Sequence, residues 1–141
     1  MKKYLSIIIF TIMIISCGKK EENFEAFNAE AFAYDLDNYW EVNISTRIKG
    51  AKEYLDEENK KYLYALSFSV DLVHPDSTIE KNKFSFAHSQ QSDEKLRDLG
   101  LEAQFELDST YRAGNYKIII NIKDEHSQKQ TSIEEELVLS K

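Results

Sequence analysis

The chain has 141 residues, with 18 Lys and Arg against 25 Asp and Glu, and a formal net charge of −7 at pH 7. That length suits one hydrophobic core rather than two, and the acidic balance disfavours nucleic acid, whose phosphates need clustered Lys and Arg. The only cysteine is Cys17, which excludes an internal disulfide and leaves the core to hold by packing alone.

Lys2 and Lys3 open the chain, followed by an apolar run from Tyr4 to Ile15, broken only by Ser6 and Thr11, that stops at Ser16 and Cys17. This is the layout of a secretory signal peptide. The run is shorter than the roughly 20 apolar residues needed to cross a bilayer. Ile14, Ile15, Ser16 and Cys17 resemble the lipobox of bacterial lipoproteins. That resemblance implies cleavage after residue 16, diacylglyceryl transfer to the Cys17 thiol, and often acylation of the new amino terminus. Two or three acyl chains on one residue make a stable anchor where one alone is marginal. Cleavage also removes Lys2 and Lys3 and makes the mature domain more acidic, so lipid rather than charge would hold it at a membrane.

Residues 17–23 read as the lipidated Cys and a short charged tether. Gly18 stands where an Asp tends to retain enteric-type lipoproteins at the inner membrane. Lys20, Glu21 and Glu22 resemble a Lys-then-acidic signal for display on the outer face in one group of Gram-negative bacteria. A plain hydrophilic linker accounts for the same charges. The expected location is the outer membrane, lipid-anchored, on its periplasmic or cell-surface face.

Residues 24–141 read as a single domain. Phe24, Phe27, Ala31 and Tyr34 have helical spacing. From Trp40 the row Val42, Ile44, Thr46 and Ile48 alternates with polar residues, which predicts the first strand. Tyr62, Tyr64, Leu66, Phe68, Val70 and Leu72 predict a second, ended by a turn at "HPDS" with Pro75. Phe84 and Phe86 mark a third, shorter strand, and "SDEKLRD" fits a short turn. Leu99 to Leu107 and Tyr116 to Ile122 alternate most clearly. The last strand, with Ile133, Leu137 and Leu139, is expected to pair with its predecessor as a hairpin. Six or seven strands joined by polar loops predict an all-β, antiparallel sandwich.

"AGNYKIII", Ala113 to Ile120, resembles the start of the F strand of immunoglobulin-like domains, so the expected class is an immunoglobulin-like β-sandwich. The resemblance implies that Tyr116 is the corner tyrosine, with its hydroxyl folded back onto the backbone, and that Ile118 takes the place of the second disulfide Cys. The chain departs from that family in lacking the Cys pair and in carrying Trp40 on its first predicted strand rather than its third.

His74, His88 and His126 have no metal-ligand spacing and read as solvated or turn residues. No nucleophile elbow, phosphate-cradling glycine loop or CxxC occurs. No cofactor or metal is expected. Asp35, Asp37 and Asn38 alternate oxygen donors as a calcium loop does, and Asp56, Glu57 and Glu58 form an acidic run. Ca2+ needs six to eight converging oxygens, and "DLDN" lacks the Gly and distal Glu of an EF-hand. Both stretches read as solvated acidic segments.

Tyr39, Tyr54 and Tyr111 fall at strand ends or in loops and are the candidate ligand-binding residues, offering amphipathic contact area to a protein or polysaccharide. Tyr62, Tyr64 and Tyr116 read as part of the packed face or its margin. "DST" occurs at Asp76 to Thr78 and at Asp108 to Thr110. It resembles a triplet that receives O-glycans in some of the same bacteria, which implies Ser77 and Ser109 as acceptors. Asp and Ser closing turns by side-chain hydrogen bonds explain both sites without a glycan. Two functional classes follow. One is a lipid-anchored, non-catalytic module for binding, adhesion or envelope assembly. The other is a small envelope enzyme or enzyme inhibitor using acidic loop residues. The first is favoured because no catalytic constellation is visible.

Overall fold

A computed structural model describes residues 22–141. The lipobox, Cys17, Lys20 and Glu21 lie outside the described residues, and Glu22 is their exposed first member. Eight strands follow one another: β1 (Glu25–Asp35), β2 (Tyr39–Lys49), β3 (Tyr54–Asp56), β4 (Lys61–Val73), β5 (Ile79–Ser92), β6 (Asp98–Asp108), β7 (Gly114–Asp124) and β8 (Gln130–Leu139). All pairings are antiparallel. One sheet has the order β1-β2-β6. In the other, β5, β4, β7 and β8 lie side by side, and β3 adds to the start of β4.

The two sheets face each other as an antiparallel sandwich because their alternating apolar rows need a common interior. Val42, Ile48, Leu99 and Leu107 from one sheet meet Leu66, Val70, Leu72, Ile118, Ile120 and Leu137 from the other, all essentially excluded from solvent. At the usual ~25 cal/mol per Å2, each such side chain contributes about 1.5–3 kcal/mol. On one flank β1 lies alongside β8. On the other, Phe84 of β5 stacks on Phe105 of β6 at 5.1 Å and joins the two sheets.

The structure corrects three sequence expectations. The helical spacing from Phe24 to Tyr34 belongs to strand β1. Phe27 pairs with Arg47 and Glu30 with Ser45, so Asn28 and Ala29 together oppose Thr46 in a bulge. The extra residue shifts the apolar period from two toward three and a half and imitates a helix. Asn28 takes a φ of 52°, and the buried Thr46 hydroxyl donates to the Phe27 carbonyl at 3.0 Å. With β1 in place, Trp40 lies on the second strand, and the strands among the described residues number eight.

Second, β5 is the longest strand, 14 residues rather than a short one. As an edge strand it carries polar residues at ten of its 14 positions, so apolar alternation announces only its middle, at Phe84 and Phe86. It pairs with β4 and forms an edge of the larger sheet. Its bulge is held by Asp71, which is buried and accepts from the Asn82 amide at 2.8 Å, the Lys81 ammonium at 2.8 Å and the Asn121 side-chain amide at 3.2 Å. Third, residues 93–97 pass between the sheets without a helical turn.

Candidate functional site

Strand direction divides the loops between two ends. The chain enters at one end beside Gly50, whose φ is 72° and where an added Cβ would stand 2.3 Å from the Asn23 carbonyl oxygen. Only glycine permits that approach. The β3–β4, β5–β6 and β7–β8 connections share this entry end. The β1–β2, β4–β5 and β6–β7 connections lie at the opposite, distal end.

Of the three candidate tyrosines, the structure brings two together. Tyr39 and Tyr111 line one distal cleft of about 230 Å3 with Asp35, Asp37, Ser109 and Arg112, over Trp40. Trp40 is buried and its indole N–H donates to the Tyr111 carbonyl at 2.9 Å, which fixes the β6–β7 loop to β2. Tyr54 sits at the entry end, where its ring stacks on His126 at 6.2 Å. Tyr64 and Tyr116 are buried and Tyr62 is half-buried, as expected of the packed face and its margin.

Tyr111 is also held from its other side. Its hydroxyl donates to the Glu80 carboxylate at 2.8 Å and accepts from the Lys83 ammonium, which stands 4.7 Å over its ring. Glu80 also pairs with Lys83 at 3.1 Å and with His74 Nε2 at 2.8 Å. The His74 ring stacks on Tyr111 at 5.8 Å. Burial pushes the Glu80 carboxyl up, but its bonds from Tyr111, Lys83 and His74 outweigh that and hold it below the usual range. Burial raises the Tyr111 hydroxyl, which stays a neutral donor. This network ties the β4–β5 hairpin to the β6–β7 loop and makes the distal cleft's wall rigid. Glu80 and Lys83 escaped the sequence reading, and His74, read as a solvated or turn residue, is half-buried and engaged with Glu80. Their one signal was the turn at Pro75, which brings position 80 back across the hairpin toward position 74.

The acidic loop residues close turns. Asp35 accepts from the Asp37 amide at 3.0 Å, and Asp56 from the Glu58 and Asn59 amides at 3.1 and 3.2 Å. Among the described residues no three His, Cys, Asp or Glu side chains converge as a metal site would require. The two "DST" turns are built alike. Asp76 accepts from the Thr78 amide at 3.0 Å and hydroxyl at 2.7 Å, and Asp108 from the Thr110 amide at 2.9 Å and its hydroxyl. Asp and Thr therefore close each turn, while Ser77 and Ser109 are exposed at the distal end.

No protein-family model matches the chain, and no curated protein matches it.

Proposed function

We propose that this chain is a lipid-anchored, non-catalytic binding module of the bacterial cell envelope, held at the outer membrane through Cys17 and reaching a protein or polysaccharide partner with its distal end. The observation that carries the reading is polarity. The chain enters the sandwich beside Gly50, at the end that a tether from Cys17 reaches, and Tyr39, Ser77, Ser109 and Tyr111 all lie at the other. A short charged tether thus leaves the aromatic cleft pointing away from the bilayer. The rigid support of Tyr111 fits preorganised binding, since little side-chain freedom is lost on association. Asp35, Asp56, Asp76 and Asp108 are engaged in turns, which weighs against the reading as an enzyme or inhibitor using acidic loops.

The signal-like Lys20, Glu21 and Glu22 favour the outward face, and the hydroxyls of Ser77 and Ser109 are placed to carry O-glycans there. Protease treatment of intact cells tests the orientation. Digestion of the domain supports outward display, and survival of the full-length protein beside a digested surface control contradicts it. Pull-down from native membranes, comparing the unaltered protein with Cys17→Ala, then identifies the partner.

A further inference from the structure

The outer face of the β1-β2-β6 sheet, turned away from the core and meeting the distal cleft only at Tyr39, is built from adjoining cross-strand rows. Glu30 pairs with Ser45 and Ser45 with Glu102. Phe32 pairs with Asn43 and Asn43 with Gln104. Tyr34 pairs with Glu41 and Glu41 with Glu106. Phe32 is 46% exposed and Tyr34 56%, and their rings meet edge to face at 5.6 Å. Phe32, Asn43, Ser45, Glu102 and Gln104 line a shallow groove of about 410 Å3.

This face is unbalanced in charge. Its cations lie toward the entry end and are already paired, Arg47 with Asp98 and Lys49 with Glu25. Among the described residues none of Glu30, Glu41, Glu102 and Glu106 forms an ion pair. Glu41 and Glu106 stand directly opposite each other, an arrangement of like charges that disfavours the folded sheet. By contrast, Glu134 on the outer face of the other sheet is paired with Lys117 at 3.0 Å. A partner that places ammonium or guanidinium groups between these carboxylates relieves the repulsion, and its aliphatic stems cover the two rings, which also attract cations.

We infer that the Phe32 and Tyr34 face of the β1-β2-β6 sheet docks a basic, partly apolar segment of a protein partner. Charge complementarity selects that occupant. An anionic polymer is repelled, and a neutral glycan leaves the opposed carboxylates unrelieved. The inference stands apart from the distal cleft and survives if the cleft binds nothing.

The test titrates the full chain, purified in detergent, with a labelled peptide of alternating Lys and Val. An alternating Glu and Val peptide and a neutral β-glucan oligosaccharide serve as the other probes. The Lys–Val peptide is expected to bind, more weakly as salt rises, and the Glu–Val peptide not to bind. Glu30→Gln with Glu102→Gln, and separately Phe32→Ser, should each weaken binding about tenfold. Glu57→Gln with Glu58→Gln, the same charge change in the β3–β4 turn, should stay within about twofold. Because surface variants can perturb folding, Glu41→Gln is followed by thermal unfolding, where relief of repulsion predicts an unchanged or higher midpoint. Equal weakening by the turn variant would mean generic acidity and overturn the inference. Binding of the glucan in place of the Lys–Val peptide overturns it in favour of a glycan surface, and binding of no probe overturns it outright.

Discussion

The Tyr116 hydroxyl donates to the Arg112 carbonyl at 3.0 Å, four residues upstream, and so closes the β6–β7 corner from inside the sandwich. The ring is buried and lies 5.4 Å from His74. The hydroxyl thus folds back onto the backbone at the start of β7, and Ile118, two residues on, is fully buried. Tyr116→Phe keeps the ring and deletes the bond, leaving a carbonyl with one partner fewer. Urea unfolding should show a loss of about 1–2 kcal/mol with an unchanged m-value. A change below experimental error would mean that the corner is held by packing alone.

Asp124 predicts an acid limb. Its carboxylate is buried at the entry end and accepts from the Lys52 amide at 2.8 Å, the His126 amide at 3.0 Å and the Ser127 hydroxyl at 2.7 Å. Burial pushes this carboxyl up. The bonds from Ser127, Lys52 and His126 together outweigh it, so it titrates below the 3.8 of a free Asp. A depressed folded value means that the contribution is fully present above the unfolded value and is lost as pH falls through the folded one. Stability should therefore drop below about pH 4. Asp124→Asn should cost about 2 kcal/mol at neutral pH and flatten that drop. A variant whose acid limb runs parallel to the unaltered protein's would place the titration elsewhere, with Asp71 the next group to replace.

His88 Nε2, on β5, is buried and has no hydrogen-bond partner among the described residues. An unpaired polar atom in such a place costs stability, so His88→Leu should raise the unfolding free energy by about 1 kcal/mol. A destabilised variant would reveal a partner that the imidazole needs, such as a bound water.

Strands whose inner rows alternate cleanly were legible in the sequence: Val42 to Ile48, Tyr64 to Leu72, Leu99 to Leu107 and Tyr116 to Ile122 bury the positions their period predicts. The reading failed where the period was broken or absent. The bulge at Asn28 disguised β1 as a helix, and the polar edge strand β5 carried a periodic signal only at Phe84 and Phe86, which made it look short. The distal site was half legible. Tyr39 and Tyr111 announce themselves as loop aromatics, but whether two such residues share an end depends on strand direction and register. Tyr54, equally plausible by sequence, faces the opposite end. Glu80 and Lys83 stayed hidden because nothing local distinguishes a charge that supports a loop from one that only meets water.

The exposed hydroxyls of Ser77 and Ser109 make a mass prediction. Protein purified from native membranes should carry hexose-scale additions that map to these two serines. Ser77→Ala with Ser109→Ala should remove them without altering the fold, because Asp76 with Thr78 and Asp108 with Thr110 close the turns. An unmodified mass in the producing bacterium would leave both serines as plain turn residues.

The most direct test of the central claim is fractionation of cells producing the unaltered protein or Cys17→Ala, with the mass of the mature amino-terminal peptide determined. Lipid anchoring predicts that the unaltered protein sediments with the outer membrane and begins at an acylated Cys17. The variant should lose the acyl mass and the outer-membrane association. An unaltered protein that stays soluble, or that retains residues 1–16 with a free Cys17 thiol, would contradict the account.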